Sequence, residues 1–226
     1  MPELLELTPE GLYCRAGDFH VDPWRPVPRA VVTHGHADHA RPGMGIVHAA
    51  TPGLGLLRWR LGDAQALEGH AYGESFRLGE ARVSLHPAGH VLGSAQVRLE
   101  HRGRVWVVSG DYKLGPDPTC ASFEPVRCDV FITESTFGLP VYRWAPPAEV
   151  FGAVDAWWRA NAEAGRASVL FCYAFGKAQR IAASVDASIG PIVVHGAVEP
   201  LNAAYRASGV ALPPTQRVSE VADKSV

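Results

Sequence analysis

Residues 31–40 read VVTHGHADHA, a short β-branched run followed by three histidines and an aspartate within six positions. The chain has only ten histidines, so three in one loop call for a chemical reason. Ala30 to Thr33 form the kind of short apolar run that makes a buried strand, and HGHADHA is the loop that leaves it. His34 and His36 are two residues apart, so on extended backbone they project to the same side and can grip one metal ion. Asp38 and His39 follow as the chain turns and can face a second ion beside the first. Zinc and manganese both accept such nitrogen and carboxylate ligands. A polar surface loop is the plainer alternative, but four fixed positions directly behind a strand favour the metal.

The rest of the composition narrows the class. Over 226 residues, 47% hydrophobic and 19% charged content is enough for one large core or two small ones. A net charge of −2 creates no global field for nucleic acid, so any such contact rests on a local patch. The opening MPELLEL lacks a positively charged leader, and no apolar run approaches membrane-spanning length. Cys14, Cys120, Cys128 and Cys172 have no C-x-x-C spacing, which argues against a zinc ribbon or a disulfide framework and fits a reducing cytosol. These features predict a soluble cytoplasmic α/β protein.

Short apolar runs broken by Gly, Pro and Asp dominate residues 1–135. Strands are predicted at 19–21, 30–33, 81–85, 95–99, 104–108 and 130–133, with EHRG (100–103) as a hairpin turn. Thr51 and Pro52 suit the N-cap and first position of a helix through GLGLLRWRL. After Gly138 the texture changes, with LPVYRWAPP as a linker. A helix starting at Pro146 or Pro147 carries Val150, Phe151, Val154, Trp157 and Trp158 at helical spacing. A strand (168–172), a helix (177–188), a strand (192–194) and a helix (198–208) follow, the alternation of a parallel sheet with covering helices. The predicted division is 1–139 and 140–226.

THGHADH resembles the signature of the metallo-β-lactamase superfamily, whose fold is a four-layered αβ/βα sandwich. That family's pattern continues with a histidine and then an aspartate, each behind its own strand. AGHVLGSAQV supplies His90 and VVSGDYK supplies Asp111. The resemblance implies His34, His36 and His90 around one divalent ion, Asp38 and His39 around another, and Asp111 bridging the two. It also implies an earlier aspartate bracing the histidine loop; Asp22 in FHVDP is the first choice and Asp18 the rival. Two ions about 3.5–4 Å apart can share a hydroxide and clamp both oxygens of an in-line displacement at phosphorus.

AGHVLGSAQ and TESTFG are similar to the β-CASP nucleases, a branch in which the acidic residue of the second stretch, here Glu134, sits behind the site and orients a catalytic histidine. The branch inserts an α/β cap, which 140–226 resembles in part; FCYAFGKAQRI looks like its strand–helix unit. GDFHVDPWRPVPRAVVTHGHADHARPG looks most like the bacterial ligase-associated DNA exonucleases, relatives of RNA 3′-end processing factors. The implied function is a two-metal phosphodiesterase acting on DNA ends in repair, with a link to an ATP-dependent DNA ligase and a helicase. Asp38 and Glu134 are then the catalytic carboxylates.

The branch's two further histidines have no counterpart after His195, and the chain closes on ADKSV. The chain therefore reads as an N-terminal fragment or a truncated product, weak or inactive by itself. Lys113 and Lys177 are the candidate phosphate contacts. The remaining readings are an RNA-processing nuclease, a small ester or thioester hydrolase, and a non-catalytic subunit that binds nucleic acid or a partner. His20, His48, His70, His86 and His101 read as ordinary structural histidines.

Overall fold

The computed structural model describes residues 3–220, so Met1 and the closing ADKSV lie outside the described residues. It divides into two compact units, Met1–Glu134 and Ser135–Val226.

Two sheets build the first unit. One has six strands in chain order: β1 (Glu6–Thr8), β2 (Gly11–Cys14), β3 (Phe19–Val21), β4 (Arg29–Val31), β5 (Ile46–Ala50) and β6 (Ala66–His70). Its first three strands run antiparallel, whereas β3 to β6 are parallel neighbours. The other sheet has five strands: β7 (Ser75–Leu78), β8 (Ala81–Pro87), β9 (Ala95–His101), β10 (Arg104–Val108) and β11 (Val130–Ile132). The β9–β10 hairpin falls at the predicted EHRG but is tighter: Glu100 and His101 continue β9, and Arg102 at φ 50° with Gly103 at φ 76° makes a two-residue turn.

Alternation along the strands gives the sheets a common core. Phe19, Val21 and Val31 of the first sheet pack with Val83, Leu85, Val97, Leu99 and Trp106 of the second. Behind the first sheet, Ala30, Val32, Val47 and Ala49 form a separate cluster with Leu57. Leu57 belongs to α1 (Leu54–Leu61), which follows a 3-10 turn at Thr51–Gly53 and joins the parallel strands β5 and β6. Thr51 lies inside that turn instead of capping α1, because Pro52 starts a tighter helix one step earlier. Helix on sheet on sheet is consistent with the αβ/βα sandwich expected from the sequence.

The second unit holds α2 (Pro147–Glu163), α3 (Lys177–Ser184), β12 (Ile192–Val194), α4 (Glu199–Ala207) and β13 (Thr215–Arg217). Strands β12 and β13 pair in parallel around α4, as a strand–helix–strand unit requires. Buried Gln179 and Asn202 lock α3 to α4 through an amide–amide hydrogen bond of 2.8 Å. The strand expected at 168–172 is not one: that stretch has no ladder partner, and Phe171 is 96% exposed. Apolar composition supports a strand only where another strand stands beside it. Likewise α3 stops at Ser184, short of the predicted 188, where Asp186 caps its own turn by accepting from Ser188 N and Oγ. Among the described residues no helix is long and apolar enough to cross a membrane.

One backbone contact ties α1 to the loop after β8. Gly93 has φ +77°, and a Cβ there would stand 2.2 Å from Gly53 Cα. Gly93→Ala is therefore expected to destabilise the chain by about 2–4 kcal/mol. Gly62→Ala, at φ +89° with nothing within 4 Å, should cost only about 1 kcal/mol of conformational strain. Urea unfolding followed by circular dichroism tests the difference; equal losses would mean that the Gly53–Gly93 approach is not tight.

Candidate metal centre

The histidine loop leaves β4 clamped between both sheets. Val32 N donates to His48 O at 2.9 Å, and Ala95 N donates to Thr33 O at 2.8 Å. The chain then coils, with His39 N and Ala40 N donating to His36 O, which swings His34, His36 and His39 around a common centre. Arg60 Nε holds the outside of this coil through Gly35 O at 3.3 Å. His90 arrives on the loop after β8, fixed where Ser94 Oγ accepts from His90 N and Val91 N. Asp111 follows β10 through Gly110, whose φ of +56° and contact with the Thr33 side chain exclude a Cβ.

Four donors converge. His34 Nε2 lies 3.0 Å from His36 Nδ1, and His90 Nε2 lies 3.2 Å from the same atom. Asp111 Oδ2 stands 3.7 Å from His34 Nε2 and 3.6 Å from His90 Nε2. All four donor atoms lie within 4.8 Å of one another. Nitrogen and oxygen ligands held at zinc-like bond lengths on a tetrahedron lie roughly 3.3 Å apart. The cluster thus has the spacing of a coordination shell. Three ring nitrogens at these separations cannot all present lone pairs to one another; a proton or a cation must stand among them. The donor set fits a divalent transition-metal ion.

The other oxygen of Asp111 faces a second group. Asp111 Oδ1 is 3.3 Å from His39 Nε2, which is 3.7 Å from Asp38 Oδ2. This side is more open, because the Asp38 side chain is 72% exposed. Asp111 therefore spans the two donor groups with one oxygen for each.

Asp22 organises both groups from behind. Its Oδ1 accepts from Thr33 N at 2.7 Å, and its Oδ2 accepts from Thr33 Oγ1 at 2.6 Å and from His39 Nδ1 at 2.7 Å. With the Thr33 hydroxyl committed to Asp22, its oxygen is left to accept from His34 Nδ1 at 3.1 Å. These hydrogen bonds assign the protons to Nδ1 of both rings and turn both Nε2 atoms toward Asp111. Asp18, the rival, takes Tyr13 OH instead.

Charge follows the same pattern. Burial, then the neighbouring histidines, holds His34 well below the usual imidazole range. Burial and His36 also lower His90, against the opposing charges of Asp111 and Glu134. At His39 burial acts downward, but hydrogen bonds and charge from Asp111 and Asp22 prevail and raise the ring to about 10. Asp111 is lowered, first by its hydrogen bond from His39. In the metal-free chain the second proton of His39, on Nε2, thus stands beside Asp111, where a cation would otherwise lie.

The structure brings His34, His36, Asp38, His39, His90, Asp111 and Asp22 together. Glu134 lies at the rim: its Oε1 accepts from Tyr112 N at 3.4 Å, and its own N donates to Ser109 Oγ. Lys113 is engaged elsewhere, donating to Pro116 O and to Asp117 Oδ2 at 3.1 Å. Lys177 opens α3 in the second unit, its ammonium 5.5 Å from the centre of the Tyr173 ring. Sequence reading missed Thr33, Ser94, Ser109 and the clamp from Arg60. Thr33 was the most accessible of these, since it directly precedes His34.

No family model matches the chain. It is 33% identical over 209 residues to a probable DNA ligase of Opitutus terrae, covering 90% of this chain and 20% of that protein. It is 37% identical over 76 residues to an endoribonuclease of Gibberella zeae, covering 32% of this chain and 9% of that one. A ribonuclease of Thermus thermophilus is 33% identical over 154 residues, 53% of this chain and 34% of its own length. The chain thus spans no more than about a third of these relatives. A solved Enterococcus faecalis protein of unknown function shares the fold at TM-score 0.57 and 13% identity, over 76% of this chain and 48% of that one. The fold and the histidine–aspartate cluster together fit the metallo-β-lactamase type. More narrowly, its relatives fit the β-CASP nuclease branch of that superfamily.

His39 makes a pH test possible in the metal-stripped chain. Its folded pKa of about 10 exceeds the ordinary value of 6.5. Its contribution to stability is therefore complete below about pH 6.5 and is lost as the pH rises through about 10. Asp22→Asn removes one of the two carboxylates and should lower the His39 pKa by more than about one unit. NMR titration of the ring reads this directly; an unchanged pKa would remove Asp22 from the role of brace.

Proposed function

We propose that this chain forms the metal-holding part of a phosphodiesterase that removes nucleotides from DNA ends. The observation that carries the reading is the placement of Asp111, with one carboxylate oxygen toward His34 and His90 and the other toward His39. A carboxylate so shared suits two divalent ions, zinc or manganese. His34, His36 and His90 would hold one, and Asp38 and His39 the other.

When bound, such ions supply Lewis-acid polarisation of a phosphate oxygen and lower the pKa of a bound water. The protein's own groups do the positioning. Asp22, through Thr33 and directly, keeps the protons of His34 and His39 on Nδ1 and so leaves Nε2 free to ligate. Asp111 keeps negative charge between the two donor groups. Asp38, the most exposed of the carboxylates, opens to solvent, the side from which substrate would arrive. Glu134 accepts from Tyr112 N and so fixes the turn that carries Asp111. Lys177 is a candidate phosphate contact within the second unit; in the first, Lys113 would have to leave Asp117 to serve as one.

DNA is favoured because the relative matched over 90% of this chain is named a probable DNA ligase. A working link to an ATP-dependent ligase and a helicase in repair, in the cytoplasm, follows from the same reading. RNA processing is the second reading, because several relatives are named ribonucleases.

The test uses the full chain with manganese or zinc and 5′-labelled DNA and RNA of one sequence. Slow stepwise shortening of DNA is expected from this chain alone, and Asp111→Asn should lower its rate by at least about a hundredfold. Cutting of RNA alone would favour the second reading. Turnover of a lactone or thioester, with none of DNA, RNA or bis-p-nitrophenyl phosphate, would overturn both.

A further inference from the structure

The first unit contains a second convergence of metal-ligating side chains, away from the Asp111 cluster. His48 lies on β5, and Glu68 and His70 lie on β6. Parallel pairing sets His48 against Glu68 and Ala50 against His70, so all three side chains can share one face of the sheet. The residue between the two on β6 fixes which face. A Cβ on Gly69 would stand 2.5 Å from Leu54 Cδ1, so the opposite side of β6 is packed tightly on α1. Glu68 and His70 therefore point away from the helix, toward β7, where the His70 ring stacks on Phe76 at 3.5 Å and 6°.

The donor atoms have the spacing of ligands. His48 Nδ1 is 3.1 Å from His70 Nε2, and Glu68 places its two oxygens 3.7 Å from these nitrogens, one on each. All three donors lie within 4.8 Å of one another. Both histidines are buried, while the Glu68 side chain is 52% exposed at the edge of the sheet. A cation can therefore enter from solvent past Glu68 and meet two fixed imidazoles. Burial lowers both histidines, against the opposing charge of Glu68. At this distance His48 Nδ1 and His70 Nε2 hold either a shared proton or a cation between them, so an entering ion would take the place of that hydrogen bond.

We infer that His48, Glu68 and His70 form a separate zinc-class cation site that ties β5 to β6. Two imidazoles and a carboxylate make a set that zinc accepts, with water completing the shell. Such an ion links edge strand β6 to its neighbour and stabilises the unit without taking part in phosphodiester chemistry. The inference does not depend on the proposed nuclease activity.

Zinc titration of the unmodified chain, followed through the histidine ring nitrogens by NMR, provides the test. His48 Nδ1 and His70 Nε2 should move to coordinated shifts as zinc is added, in addition to the nitrogens of the His34 cluster. In Glu68→Gln, an exposed and isosteric change, the His48 and His70 transition should need at least about tenfold more zinc. The His34 cluster should titrate unchanged. If zinc saturates that cluster and the His48 and His70 nitrogens stay unmoved, the pair is a plain imidazole–imidazole hydrogen bond and the inference fails. It fails equally if both rings respond but Glu68→Gln changes nothing, since the carboxylate is then no ligand.

Discussion

The carboxylate of Asp22 is the constraint on which the candidate centre depends. It lies immediately after β3, accepts three hydrogen bonds, and sets the proton position of two imidazoles that come from opposite ends of one loop. An imidazole can ligate a metal through one nitrogen only if its proton is held on the other. Asp22 imposes that condition on His39 directly and on His34 through Thr33. It sits at φ 44°, a backbone conformation unusual for a residue with a side chain, and its N–H is tied to Val31 O at 3.0 Å. A strained backbone kept in place by hydrogen bonds on both its main chain and its side chain is what an over-determined site looks like.

The sheets account for how residues so far apart in sequence reach that carboxylate. His34 leaves a parallel strand of one sheet, whereas His90 and Asp111 leave strands of the other. Ala95 N on Thr33 O joins the two sheets at the point where their loops begin. A donor cluster spanning two sheets needs their separation to be fixed. The shared core of Val31, Val83, Leu85 and Val97, all fully buried, supplies that rigidity. The loops can then be irregular, because they start from strand ends that do not move relative to one another.

Much of this was legible in the chain because its informative residues come in fixed local patterns. The H-x-H-x-D-H spacing behind an apolar run, and a Gly-Asp step after another, point to strand-end loops with donor side chains. Strands at 19–21 and 104–108 begin and end where predicted, since their apolar runs are bounded by polar or turn residues. Thr33, Ser94 and Ser109 were not legible. A single small hydroxyl acts through whichever neighbour the fold supplies and leaves no periodic trace. The segment 168–172 failed for the converse reason. Its composition is that of a strand, but a ladder is a property of two segments, and no second one lies beside it among the described residues.

His48 and His70 show where local reading stops. They are 22 residues apart, with α1 between them, and each by itself is an ordinary buried histidine. Only the β5–β6 register sets one strand against the other so that Nδ1 of one ring meets Nε2 of the other. A shift of one residue in that register would put the two histidines on opposite faces of the sheet and turn a residue with a side chain toward α1 in place of Gly69. The contact of Gly69 with Leu54 forbids such a shift, since a side chain in its place would collide with α1. The glycine that lets α1 close on the sheet therefore also fixes which residues of β6 face His48, so packing on one side of the strand determines the chemistry available on the other.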